Sequence, residues 1–441
     1  MRGTGRDGVA AMRLRTRHKV LYGVGYLSVA LTTDMTLTWL LKCYRPDPQD
    51  FRWTVLASAG AFALAMMVGQ MMNAIADPLV GFWSDRVKSR WGRRKPFILI
   101  GAPVLALMFS LIWTPPTPTI SALNAAYLAV TISLFFVAFT IVVCPYLAML
   151  PEIAPASGER VALTAWQGGF NVLGAVGGSL GAGYLIDHYG YRTMALCFAP
   201  VVLVCSLAPL FVPAQPAAAG SSAERSDLPL RQAFLATLRN PFFVPYVIAQ
   251  LFFWMALRII VGTLPKLVEI RAGVPETGQG IVMATGLLVA ALFFPFMPGF
   301  ARRLGKKRLL GGAMVYFGLM MVPLIFLGRL PLPLSPFGQS ILIMACAGPA
   351  IAALFTLPNA MVADIVDRDE ERTGQRREAI YFGVQGFILK TGMGVGIALA
   401  ALLLDHFGET ATRQGGFTAC ALTAMAFAWL AAGALSRYRG N

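Results

Sequence analysis

The residues of this chain best placed to do chemistry are four charges set deep inside apolar segments. They are Asp34 in ALTTDMTLTWL, Asp77 in NAIADPLVGF, Arg258 in FFWMALRIIVG and Lys390 in FILKTG. A lone charge in hydrocarbon costs several kcal/mol unless it is paired or reached by water, so each marks a functional site by default. Asp77 follows Asn73 by four residues and Gln70 by seven, which sets all three on one helical face. One carboxylate on such a face is enough to take up and release a proton, whereas a hard metal cation asks for several oxygen ligands. Lys390 either serves a cavity or forms a buried ion pair within the protein. Arg258 either faces the same cavity, adding a second cation for an anionic group, or snorkels toward a membrane surface. Nothing else in the sequence supplies a nucleophile with its base, paired acids at one depth or a metal cluster, which argues against an enzyme.

The elements that must position these charges are spanning helices. Hydrophobic residues make up 57% of the 441 and charged ones 13%, a balance that a water-soluble surface cannot accommodate. Apolar runs long enough to cross about 30 Å of hydrocarbon, roughly 20 residues each, recur along the chain, and twelve spans are expected. Their bounds are 20–42, 54–84, 97–114, 121–150, 161–186, 193–213, 243–266, 279–301, 308–328, 339–366, 379–404 and 414–436. The net charge of +16 does not point to nucleic acid, because most Lys and Arg fall in segments on one side of the spans. That asymmetry is the positive-inside pattern and predicts cytoplasmic N- and C-termini in a multi-pass cell-membrane protein. The six cysteines lie in or at the ends of apolar runs without metal-ligand or redox spacing. The three histidines, His18, His188 and His406, fall at or beyond span ends, so a histidine relay through the membrane is not expected.

The chain also repeats itself. GFWSDRVKSRWGRRK from Gly81 is echoed by GFARRLGKKR from Gly299, AMLPEIAPASGER from Ala148 by AMVADIVDRDEER from Ala360, and WQG at Trp166 by VQG at Val384. Three echoes in the same order predict two six-helix bundles, residues 1–213 and 243–441, around a central site. Residues 214–242 between them read as an Ala/Pro/Gly/Ser-rich linker followed by an amphipathic surface helix. The mixed-sign loop DRDEERTGQRRE is expected to form salt bridges that latch the gate on its side.

The loop after span two, with Gly81, Asp85, Arg86, Gly92, Arg93 and Arg94 in order, resembles the signature of the major facilitator superfamily. More narrowly, NAIADPLVGF with SRWGRRKPFILIG, and VADIVD with REAIYFGVQGFILKTG, resemble the glycoside-pentoside-hexuronide:cation symporter family over nearly the whole chain. The resemblance implies an all-α membrane protein of the major facilitator fold that moves a solute together with a cation by alternating access. It places Asp77 on a carboxylate of the coupling-cation site, Thr140 on its span-four hydroxyl, and Lys390 on a cavity lysine. It also puts Phe355 where the family keeps an aromatic. Departures accompany these matches. Asn73 stands where sodium users have a second carboxylate and Ala76 where they have an Asn, so the coupling ion is expected to be a proton, with Asp77, Asn73 and Thr140 as its site. Ala30 and Val143 replace the two sugar carboxylates, and Gly168 replaces the span-five arginine.

The expected function is therefore cation-coupled symport of a sugar-like solute, a glycoside or uronide. The alternatives are a lysolipid-like or other amphipathic or anionic solute and, outside transport, a membrane sensor or assembly factor. Lys390, Asp34, Phe355, Arg258, Trp166 and Gln385 are the expected solute-binding residues. No cofactor and no metal are expected. The partners expected are a small-molecule solute and membrane lipids, with no nucleic acid, and the protein is expected to be a monomer.

Overall fold

The computed structural model describes residues 15–46, 52–87, 89, 91–154, 157–213, 237–373, 378–410 and 412–438, and all regular structure among them is helical. The principal helices are α1 (Thr16–Tyr44), α2 (Ala59–Arg86), α3 (Lys95–Leu111), α4 (Ala122–Ala148), α5 (Ser157–Val176) and α6 (Ala182–Leu207). Then follow α7 (Phe243–Ala272), α8 (Glu276–Phe293), α9 (Lys306–Leu319), α10 (Pro336–Thr373), α11 (Glu378–Phe407) and α12 (Gly415–Ser436). Ten stretches are long and apolar enough to cross a membrane, one of them the 46-residue run Trp166–Phe211, and the shorter apolar helix Lys95–Leu111 stands outside that count. A straight 46-residue helix would measure about 69 Å, twice a bilayer core. The run breaks at Gly190, whose φ of 83° leaves the helical region, so it makes two passages. Counted this way, the helices agree with twelve expected spans.

Large apolar side chains such as Leu64, Ile100, Leu173 and Leu292 remain exposed, while a continuous core of Trp, Phe, Leu and Ala joins the helices. In the first half α2 packs on α4 and α1 on α5, and in the second α7 packs on α11 and α12 and α8 on α10. The halves meet along α2–α11, along α1–α7, and where α8 crosses α5 and α6. Small residues permit these crossings: a Cβ at Gly394 would stand 2.9 Å from Gln70 Cβ, and one at Gly280 would stand 2.4 Å from the Ser179 carbonyl. The echo at residues 167 and 385 has a structural counterpart. Gln167 Nε2 donates to Tyr22 and Tyr146, whose rings stack, and Gln385 Nε2 donates to Tyr246. Tyr22 Oη donates to the Tyr146 carbonyl at 3.4 Å and Tyr246 Oη to the Pro358 carbonyl at 3.0 Å.

Two expectations change. The segment DRDEERT is not loop, because α10 continues to Thr373. Its Glu and Arg residues favour helix, and no Gly or Pro interrupts the run before Gly374. The proposed linker helix falls largely on residues 214–236, and part of the mixed-sign loop on 374–377, both outside the described residues.

Candidate solute and cation site

α2 supplies the first cluster. Asn73 and Asp77 lie one turn apart, and Pro78, lacking an N–H, cannot bond the carbonyl of Ala74, which loosens the helix beside Asp77. Thr140 of α4 places Oγ1 3.1 Å from both Asn73 Oδ1 and Asp77 Oδ1, so its single proton serves one acceptor at a time. From the other half, Lys390 of α11 donates to Asp77 Oδ2 at 2.5 Å and to Asn73 Oδ1 at 2.8 Å. Asn73 Nδ2 reaches Gln70 Oε1 at 3.4 Å. Asp77, Asn73, Thr140 and Lys390 thus form one cluster across the two halves. The Lys390 ammonium sits between Asp77 Oδ2 and Asn73 Oδ1. Solvent still reaches it, since the side chains of Lys390 and Asp77 are 21% and 39% exposed.

A second cluster lies on α1 and α7. Asp34 accepts from Ser179 at 2.9 Å, in the π-helical turn Gly177–Gly181 where the chain enters α6. That wider turn needs Gly178, because a Cβ there would stand 3.0 Å from Asp34 Oδ2. Arg258 does not snorkel. Its guanidinium lies 5.3 Å from the Trp254 ring centre, Nη2 approaches Met393 Sδ at 3.8 Å, and the charge of Asp34 acts on it. Phe355 meets Trp254 edge-on at 5.8 Å. Trp166 stands apart, stacked on Phe170, and Gln385 is engaged with Tyr246. Ser179, Trp254 and Met393 were not picked out from sequence. Trp254, one turn from Arg258, was the legible one.

At the gate loop, Gly92 has a φ of 94°, which any side chain would strain. Arg94 Nη1 donates to Ser84 Oγ at 2.6 Å, Arg93 is exposed, and Gly81 packs near Cys144. The side chains of Asp85 and Arg86 lie outside the described residues.

Sequence reasoning missed a third cluster at the opposite end of the bundles. Lys42, fully buried, binds Glu269 at 2.8 Å and Glu276 at 2.9 Å in the other half, and also donates to Gln279. Arg45 binds Asp405 and Glu409, and Glu409 also holds the buried Lys266 at 2.7 Å. Arg52 joins Asp187 to Glu276. These residues sit at span ends, where charge ordinarily signals water. Here they close that end instead. A Cβ added at Gly168, Gly169, Gly383 or Gly386 would meet nothing within 4 Å.

Two helical halves joined by charge pairs around a solvent-reached midplane cluster, and sealed at one end, define a membrane transporter. The chain belongs to the family whose model is described as MFS/sugar transport protein, which matches residues 21–437. It is 23% identical to a symporter of Synechocystis, sll1374, over 93% of this chain and 89% of that one. It is 25% identical to sodium-dependent lysophosphatidylcholine symporter 1 of Gallus gallus, over 90% of this chain and 80% of that one. The crystal structure of the nucleoside transporter NupG superposes with a TM-score of 0.68 at 14% identity, covering 98% of this chain and all of that one, a likeness of fold. The protein is a multi-pass membrane transporter of the symporter type and not an enzyme.

Proposed function

We propose that this chain is a proton-coupled symporter of a sugar-like solute, of the glycoside-pentoside-hexuronide kind, with Asp77 as the coupling carboxylate. The observation that carries the reading is the Lys390 ammonium lodged between Asp77 and Asn73. A metal cation would have to displace that ammonium and then make do with one carboxylate, one amide oxygen and one hydroxyl. A proton needs only Asp77 Oδ2. Protonation removes the charge that holds Lys390, frees the ammonium, and so couples the proton to a contact between the halves. Without a proton, Lys390 neutralises Asp77, so this cluster carries no net charge when the carrier is empty. The excess of basic residues in the gate-loop and terminal segments supports a cytoplasmic side for them, which makes the charge-sealed end the outer one. The carrier works as a monomer in the cell membrane, its partners being solute and lipid.

The test is uptake into proteoliposomes. An inward proton gradient should drive accumulation without sodium, and Asp77→Asn should abolish uphill accumulation while solute exchange continues. Uptake that responds to sodium without a pH gradient refutes proton coupling. A lysolipid-like solute is the second reading. It is favoured by Ala30 and Val143 at the family's sugar-carboxylate positions and by the symporter of Gallus gallus, which is named for lysophosphatidylcholine.

A further inference from the structure

We infer that Asp34 and Arg258 together read the solute's head group, and that this head group carries no net charge. The inference rests on the reading that the chain moves a small solute through its midplane. It asks what that solute must offer.

Each residue is only partly satisfied by the protein. Asp34 Oδ2 accepts from Ser179, while Oδ1 has no partner among the described residues and is not sealed from solvent. Arg258 Nη2 has only the weak acceptor Met393 Sδ. Among the described residues its Nε is buried without a partner, and no partner reaches Nη1. The two charges act on each other but form no ion pair, although guanidinium and carboxylate fit each other well. They therefore present one acceptor and one donor, from opposite halves, on two helices that pack together, α1 and α7. A solute bridging them would tie α1 to α7.

Charge balance sets the class. While Asp77 is unprotonated, as its pairing with Lys390 in this conformation requires, Lys390 does not add to Arg258 in attracting an anion. A purely anionic solute at Arg258 would meet the Asp34 carboxylate, and a purely cationic one at Asp34 would meet Arg258. A head group that donates on one side and accepts on the other satisfies both. Neighbouring hydroxyls of a neutral glycoside do this by hydrogen bonds, and the ammonium and phosphate of a zwitterion do it by charge. The Trp254–Phe355 pair beside Arg258, with Phe355 exposed, offers an apolar wall to a sugar face or an acyl chain. Gly396 makes room for the arrangement, since a Cβ there would stand 3.2 Å from Arg258 Cβ.

The experiment is thermal stabilisation of the purified full chain by three probes: methyl galactoside, lysophosphatidylcholine and methyl glucuronide. At least one of the two net-neutral probes should stabilise it and the glucuronide should not. A response to the galactoside alone assigns hydroxyl recognition, and one to the lysolipid alone assigns a zwitterion. Asp34→Asn and Arg258→Gln should each raise the apparent Kd by about tenfold or more. If either single variant does not fold, the double variant Asp34→Asn/Arg258→Gln, which leaves no unbalanced charge, should fold and show the same loss. Preference for the glucuronide, strengthened by Asp34→Asn, would overturn the inference. So would binding unchanged in the folded variants, or no response to either neutral probe. Binding that behaves as stated alongside uptake that ignores pH would refute proton coupling alone.

Discussion

Lys42→Met tests whether the charge cluster at the sealed end sets the conformational equilibrium. The substitution keeps an unbranched chain and removes an ammonium that makes contacts of 2.8, 2.9 and 3.0 Å to Glu269, Glu276 and Gln279. Removing one partner of a buried pair costs about 3–5 kcal/mol, because the remaining charge stays buried. Glu276 keeps Arg52 at 3.1 Å, but Arg52 is 47% exposed and that contact is screened. The loss expected for the sealed form is therefore about 2–3 kcal/mol. Because Lys42 and its acidic partners belong to different halves, the loss falls on the sealed form and not on the open one. It should move the sealed-to-open ratio about 30- to 150-fold. Spin labels at Ser58 and Thr412, both exposed near that end, report the change as a second, longer distance in the purified variant. Glu276→Gln, which leaves Lys42 with Glu269, should give a smaller shift in the same direction. An unchanged distance distribution in a variant that melts at a lower temperature would mean that the cluster only stabilises the fold.

Other consequences can be checked directly. Lys390→Ala should abolish accumulation in protein that still inserts and folds, and normal transport by its folded fraction would assign the lysine to scaffold alone. Ala30→Asp should hinder solute binding or leave it unchanged, because Ala30 is buried and a Cβ at the facing Gly174 would stand 2.7 Å from its Cβ; a clear gain in galactoside uptake would contradict this. Gly178→Ala should lower solute affinity more than stability, by pushing on Asp34, and a calorimetric melt beside a binding curve separates the two. Gly92→Ala should destabilise the gate-loop turn by about 1 kcal/mol, seen as a lower melting temperature.

Much of this was readable in the chain because the physics is local. Apolar runs bounded by charge give spanning helices, and Asn73 and Asp77 at a four-residue spacing must share a face. Gly92 lies in a loop turn that requires positive φ. That Thr140 would meet Asp77 came from resemblance, which made Lys390 a cavity lysine without joining it to Asp77; no local rule brings α4 and α11 to α2. What stayed hidden depends on pairing between distant segments. Lys42 and Glu276 each look like interface charges, and only their meeting across the halves buries them. The π-helical turn at Gly177–Gly181 carries no sequence mark beyond its glycines, and the continuation of α10 to Thr373 reads equally well as a charged loop. Arg258 was balanced between lipid surface and cavity until Trp254 and Asp34 were placed beside it.

The three clusters also bear on how proton and solute are linked. Lys390 joins α11 to α2 at the midplane, Lys42 and Arg45 join α1 and its following loop to the second half at the sealed end, and Asp34 and Arg258, on the packed helices α1 and α7, form no ion pair. In this conformation, then, charge pairs link the packed halves at two levels, and at a third, that of Asp34 and Arg258, a solute would supply the polar bridge. If protonation of Asp77 frees Lys390, the midplane tie is lost, and the solute bridge between α1 and α7 is what can replace it. Proton alone would loosen the halves and solute alone would lock them, whereas both together exchange one tie for another. That exchange is the stoichiometric condition for symport, and it follows from which charges are paired and which are left open.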